Sequence, residues 1–301
     1  MQIAGFVLVL LLAAQTPTFN WDSPHQCDDC AAWNKPRAPF KLYGNTYYVG
    51  TDGLSSILIA GDAGHILLDG GLEQSAPLID ANIRTLGFKT QDVKLIVNSH
   101  GHFDHAGGIA ALQRLTGAAV AVSASGAAAL GKGINTPDDP QAGFPKVFNA
   151  FPPVKNIRVI KDGEVQRVGS LAITPHFTPG HAPGSTTWTW QSCQPSRPEG
   201  QKCLNMVYAD SLSAVSAPGF KFTAQPALIA QLRKSITLVG ELPCDVMVST
   251  HPGFTQIDAK LKRRAEMKAT ETDPFIDPQL CRAYAANAMK GLEARLAEEQ
   301  K

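Results

Sequence analysis

The chain has 301 residues, 44% of them apolar, and a formal net charge of +1. That length holds one large domain or two small ones, and the apolar fraction can fill a substantial core. So balanced a charge gives no electrostatic footprint for nucleic acid or an anionic membrane surface, which leaves a small molecule as the favoured partner.

The chain opens on an uncharged apolar run over residues 4–14. It is too short to span a bilayer as a helix, and polar, Pro-containing sequence without helical periodicity follows it. It reads as a signal peptide over residues 1–15, although no Lys or Arg precedes the run. The alternative is a buried N-terminal helix. Export would make the protein periplasmic, without stable membrane association once the signal is removed. Residues 16–301 then form a single domain, expected as a monomer.

Six cysteines, an even count, suit an oxidising compartment. Cys27 and Cys30 form a Cys-x-x-Cys pair; no βαβ unit surrounds it, so a structural disulfide is a better reading than a redox motif. Strands are predicted at 40–43, 46–49, 55–60 and 65–69, separated by Gly and Asp turns. A helix with Leu78, Ile79, Ile83 and Leu86 on one side ends at Gly87. A buried strand over 94–98 leads into a His-rich segment, and a helix over 107–115 stops at Gly117. Further strands are predicted at 156–160, 164–168, 171–177, 185–190 and 205–209. Cys193 and Cys203 would clip a loop rich in Pro, Ser and Gly. A helix over 227–238 precedes a strand over 245–249. Cys244 and Cys281 would close a long loop, worth about 4 kcal/mol in the chain-entropy model. The last helix carries Leu280, Tyr284, Ala288, Leu292 and Leu296 at four-residue spacing, a stripe that packs on the body. Strands followed by helices in both halves predict an α/β fold, an αβ/βα sandwich of two β-sheets flanked by helices.

Residues 98–108 read Asn-Ser-His-Gly-His-Phe-Asp-His-Ala-Gly-Gly. Three imidazoles and a carboxylate fall within six residues, His100, His102, Asp104 and His105, directly after an apolar strand. Imidazole and carboxylate suit Zn²⁺, and a compact loop can direct them at more than one ion. His181, in Thr-Pro-Gly-His-Ala-Pro-Gly, and His251, in Ser-Thr-His-Pro-Gly, also follow predicted strands. Open α/β sheets place their sites at such carboxyl ends. His25, His65 and His176 read instead as ordinary surface or satisfied core. Five His and one Asp divide into three and three, leaving each of two ions an open position, as in catalytic zinc sites. Two such ions could share one hydroxide, so no Ser or Cys nucleophile is needed.

His-x-His-x-Asp-His, followed by Thr-Pro-Gly-His and a late His-Pro, resembles the metallo-β-lactamase superfamily. The likeness is closest to its third β-lactamase subclass and extends over Asp-Ala-Gly-His-Ile-Leu-Leu-Asp, Thr-Trp-Thr-Trp and Tyr-Ala-Asp-Ser-Leu-Ser. This resemblance implies that His100, His102 and His181 bind a first zinc, and Asp104, His105 and His251 a second. Asp104 would orient the metal-bound hydroxide. Ser211, Ser213 and Gln141 would contact substrate. Asp69 reads as a support for the ligands rather than a ligand, and Trp188 and Trp190 as packing residues. Relatives pair an N-terminal Cys with a position held here by Asp52, so Cys27 and Cys30 are left to pair locally.

The activity so implied is hydrolysis of the β-lactam amide, acting on penicillins, cephalosporins and carbapenems and conferring antibiotic resistance. A thioesterase or lactonase of the same superfamily is the runner-up. Those relatives use a bridging Asp, and Asp210 stands near that place, here expected as a support only. A non-enzymatic periplasmic zinc-binding protein is the third reading.

Overall fold

Two β-sheets pack against each other, and the burial of both faces of their parallel strands explains why these read as apolar runs. The computed structural model describes residues 19–196 and 200–301, and the predicted signal segment lies outside them. In chain order the first half comprises α1 (Cys30–Trp33), β1 (Phe40–Tyr43), β2 (Thr46–Tyr48), β3 (Ile57–Ile59), β4 (His65–Leu68), α2 (Ala76–Thr85) and β5 (Val93–Val97). Then come α3 (Phe103–Ala106), α4 (Ile109–Thr116), β6 (Ala119–Val122), α5 (Ala124–Lys132), α6 (Lys146–Asn149) and β7 (Ile157–Val159). The second half holds β8 (Gln166–Val168), β9 (Leu171–Phe177), β10 (Thr186–Ser196), β11 (Gly200–Ala209), α7 (Pro226–Glu241), β12 (Val246–Ser249), α8 (Ile257–Glu266) and α9 (Leu280–Glu299).

The first sheet runs β1-β2-β3-β4-β5-β6-β7, antiparallel up to β4 and parallel from there. The second runs β12-β11-β10-β9-β8, antiparallel except for the β11–β12 pair. Ile57, Ile59, Ile66, Leu68, Leu95 and Val97 face inward and meet Ile173, Trp188, Met206, Tyr208 and Val246 of the second sheet. Alternate residues Leu58, Leu67, Ile96 and Val120 face outward onto Ile79 and Ile83 of α2 and Ile109 and Leu112 of α4. Val207 and Met247 likewise meet Leu232 and Ile236 of α7 and Tyr284, Leu292 and Leu296 of α9. Both faces of the parallel strands β4, β5, β11 and β12 are therefore buried, whereas the outer face of the antiparallel β9 and β10 is partly exposed.

Several elements depart from expectation. β6, α5 and α8 were not predicted, because Ala-, Gly- and Ser-rich or charged stretches show no apolar stripe. The irregular leader contains one helical turn, α1. The loop expected between Cys193 and Cys203 is instead the continuation of a hairpin: the two cysteines face each other in register on β10 and β11. The helix predicted over 107–115 is present as α4, capped by Gly117, and the separate turn α3 before it was not predicted. The disulfides are Cys27–Cys30, Cys193–Cys203 and Cys244–Cys281. Among the described residues no helix is long and apolar enough to cross a membrane.

Topology also gathers the site. β4, β5 and β6 are parallel, so their carboxyl ends share one edge. In the other sheet β9, β11 and β12 point the same way as one another. The segments that follow β4, β5, β9, β11 and β12 carry Asp69, the His-rich loop, His181, Asp210 and His251.

Candidate metal centre

The residues after β5 leave the sheet as an extended loop, and His102 occupies the N-cap of the single turn α3. Asp104 and His105 are carried round by that turn, so the ligand types of one short segment face two ways. His181 follows Gly180, whose φ of +142° suits glycine and where any Cβ would collide with Leu232. His251 leads directly into Pro252, which opens a short 3₁₀ turn.

The donor atoms of His100, His102 and His181 lie within 4.8 Å of one another, and all three residues are buried. Each ring is held from behind. His100 Nδ1 is 2.7 Å from Asp210 Oδ1, His102 Nε2 is 2.9 Å from Asp139 Oδ2, and His181 Nδ1 is 2.9 Å from the Ser213 carbonyl oxygen. By elimination the free nitrogens are Nε2 of His100, Nδ1 of His102 and Nε2 of His181. His100 Nε2 is buried and has no hydrogen-bond partner.

The second group is centred on Asp104. Its Oδ2 is 3.1 Å from His105 Nε2 and 3.3 Å from His251 Nε2. His251 Nδ1 is 3.2 Å from the Gly53 carbonyl oxygen, which accepts only from a protonated nitrogen. A neutral His251 thus turns a lone pair toward a carboxylate, an arrangement that a cation between them would satisfy. Donor atoms of His100, Asp104 and His105 also lie within 4.8 Å of one another, so the two groups adjoin. Orphaned His100 Nε2 and the inward lone pairs both fit metal ions.

The electrostatics agree. Burial, then the imidazoles of His105 and His102, hold His100 well below the ordinary imidazole range. Burial, then His100 and His102, push His181 down to about 3. Burial would raise Asp104, but His105 and His251 outweigh it and hold the carboxyl well below the usual range. Burial would lower His105, but Asp104 outweighs it and raises the imidazole. The neutral forms favoured at His100 and His181 and the ionised carboxylate of Asp104 are the protonation states that metal binding needs, whereas at His105, drawn toward its protonated form by Asp104, a metal would have to displace a proton.

Other expected residues take distinct places. Asp69, fully buried at φ +59°, accepts hydrogen bonds from Asn98 Nδ2, Ser99 N, Ser99 Oγ and Tyr208 OH at 2.7–2.9 Å. Its Oδ2 is 3.8 Å from His105 Nδ1. Ser213 is half-buried with Oγ 3.2 Å from His181 Nδ1, and Gln141 is half-buried in the loop before α6. Ser211, expected to face substrate, is buried with its hydroxyl 2.9 Å from Thr250 Oγ1. Trp188 and Trp190 are buried, their indole N–H groups donating to the Asn98 carbonyl and the Thr46 hydroxyl. His25 is buried and stacked on Phe103, His65 is buried on β4, and His176 bonds Thr189. A groove of about 920 Å³ lies against β9 and β10 beside Thr174, His176 and Gln191, and none of the six candidate ligands lines it.

Sequence reasoning missed Asp139, the partner of His102, and the aromatic neighbours of His251. Trp33 and Phe254 stand with ring centroids 5.5 and 5.9 Å from that imidazole. Asp139 stands next to the singled-out Gln141 motif, in Asp-Asp-Pro-Gln, but nothing in that tetrapeptide points to His102.

The family model described as the metallo-beta-lactamase superfamily matches residues 49–191. The structure is similar to that of the Rm3 metallo-beta-lactamase, with a TM-score of 0.85 and 51% identity over 92% of this chain and 100% of that one. It is also similar to MEM-A1, a subclass B3 metallo-beta-lactamase from a soil metagenome library, with a TM-score of 0.82 and 46% identity over 89% of this chain and 98% of that one. A curated relative, the acyl-coenzyme A thioesterase MBLAC2 of Gallus gallus, is 32% identical over 102 residues. That match takes in 30% of this chain, and the chain spans only 35% of that relative's length.

Proposed function

Because the chain belongs to the metallo-β-lactamase superfamily, we propose that it is a zinc-dependent β-lactamase of the third subclass, opening the amide of penicillins, cephalosporins and carbapenems. One observation carries this reading: five imidazoles and one carboxylate converge in two adjoining groups, with His100, His102 and His181 each held from behind. Nitrogen and oxygen donors in threes suit catalytic zinc. His100, His102 and His181 would hold one ion, and Asp104, His105 and His251 the other. When bound, the ions supply an activated water at neutral pH and polarise the lactam carbonyl.

The chain's own contribution is positioning. Asp104, set between His105 and His251, would orient the attacking water. Asp210 keeps the His100 ring turned so that Nε2 faces inward. Ser213 and Gln141, both partly exposed, would meet the substrate carboxylate, while Ser211 braces the wall through Thr250. The similarity to subclass B3 enzymes over most of the chain supports the substrate class. Three disulfides support residence in an oxidising periplasm, where a monomeric enzyme would protect its host from β-lactams.

A thioesterase reading rests on the partial match above and on Asp210 Oδ2, buried without a partner. It requires Asp210 as a bridging ligand, whereas Oδ1 is already committed to His100. Assaying the purified protein with nitrocefin and with an acyl thioester separates the two. Lactam turnover that chelation abolishes, with two metals retained in Asp210→Asn, is the expected result. Thioester turnover alone, or one metal lost in a folded Asp210→Asn, would favour the thioesterase.

A further inference from the structure

Asp139 has no counterpart among the sequence-predicted site residues, yet it is buried at 6% exposure and its two oxygens serve two different partners. Oδ2 is 2.9 Å from His102 Nε2, and Oδ1 accepts the Gln141 backbone N–H at 2.8 Å. The loop beyond is tied to the same frame. Asn149 Nδ2 donates to the Gln141 carbonyl at 2.9 Å, and Ala217 N donates to the Pro140 carbonyl at 3.0 Å. Ala217 lies four residues past Ser213, which holds His181 from behind. One hydrogen-bonded frame therefore joins the loop over 139–149, the segment over 213–217, and two imidazoles of the first group.

We propose that Asp139 is a positioning residue that sets two things together: the ring orientation of His102, with Nδ1 presented to the metal, and the placement of the loop carrying Gln141 over the site. A carboxylate behind a ligating imidazole fixes its tautomer and raises its basicity, and losing such a partner costs about 10–100-fold in metal affinity. Here the second oxygen adds a consequence for substrate, because removing the carboxylate also frees the Gln141 N–H. A residue that only filled space would affect neither quantity in a folded variant.

The inference rests on the metal-site reading, and its kinetic arm on the lactamase reading. The test uses the full chain as Asp139→Ala and Asp139→Asn. Zinc affinity is measured by competition with a chromophoric chelator, the cobalt-substituted absorption spectrum reports the ligand field, and KM and kcat are followed for a cephalosporin. Circular dichroism confirms folding. Asp139→Ala should lose about 10–100-fold in affinity at one of two sites, shift the cobalt spectrum and raise KM. Asn offers one acceptor oxygen for two donors, so Asp139→Asn should recover the affinity or the KM but not both. Wild-type affinity, spectrum and KM in folded Asp139→Ala would overturn the proposal, as would full recovery of both in Asp139→Asn. If the wild-type protein turns over no lactam but Asp139→Ala still sheds one zinc, the lactamase reading fails and this one stands.

Discussion

Replacing Asp69 should divide sharply between two substitutions. Four donors converge on its carboxylate: Asn98 Nδ2 and Ser99 N on Oδ1, Ser99 Oγ and Tyr208 OH on Oδ2. The two hydroxyls can rotate to other acceptors, and Tyr208 OH already lies 3.0 Å from the Ser55 carbonyl. The two N–H groups cannot. Asp69→Ala leaves both buried and unpaired, at about 1–3 kcal/mol each. Alanine at φ +59° adds about 1–2 kcal/mol of backbone strain. The sum, about 3–8 kcal/mol, is comparable to the whole stability of an ordinary domain. Asn tolerates this backbone region, keeps one oxygen for both N–H groups, and presents an amide that rotated hydroxyls can accept. Asp69→Asn should therefore cost about 1–2 kcal/mol. Urea unfolding followed by circular dichroism measures both. An alanine variant within about 1 kcal/mol of wild type, or an asparagine variant as unstable as alanine, would refute this account of the site's floor.

Burial would raise Glu299, but the N–H groups of Thr223 and Phe222, the Arg295 guanidinium and the Thr223 hydroxyl outweigh it and hold the carboxyl at about 2, below its usual 4.5. Its stabilisation is thus full above pH 4.5 and lost as the pH falls toward 2. Glu299→Gln should cost about 1–2 kcal/mol at neutral pH and match wild type near pH 2, read from denaturant midpoints; equal stability at neutral pH would count against it. Peptide mapping without reductant should recover Cys193–Cys203 and Cys244–Cys281, and replacing the second pair with Ser should cost about 4 kcal/mol for its 37-residue separation. Free thiols at Cys244 and Cys281 would contradict this. Ser213→Ala should weaken transition-state binding by about 1–3 kcal/mol. Asp104→Ala should nearly abolish turnover, and comparable losses in the two kcat/KM values would undo the assigned roles.

Much of the candidate site was legible because its proposed ligands are dense in sequence. His100, His102, Asp104 and His105 crowd one turn behind an apolar strand, and His181 and His251 each follow a strand and sit beside Pro or Gly. Asp139 was illegible because it reaches His102 across 37 residues of chain, and only the folded loop joins them. Burial of Ser211 was equally hidden, since its partner Thr250 is 39 residues away. In the fold, apolar runs such as 57–59 and 65–68 were readable as strands, whereas the Ala-rich α5 offers no apolar contrast on which a helical stripe could be seen. Pro195 and Gly200 suggested a loop where long-range register, with Cys193 opposite Cys203, extends the strands of a hairpin.

If the two groups of three candidate ligands bind zinc and thereby hydrolyse a β-lactam, zinc and turnover must rise together. Zinc is titrated into metal-free protein while nitrocefin hydrolysis is followed in the same cuvette. The rate should rise from zero and saturate at two equivalents, with no covalent adduct by mass spectrometry during turnover. Turnover unaffected by removing the metal, or none at any zinc concentration, would rule out a zinc-dependent lactamase.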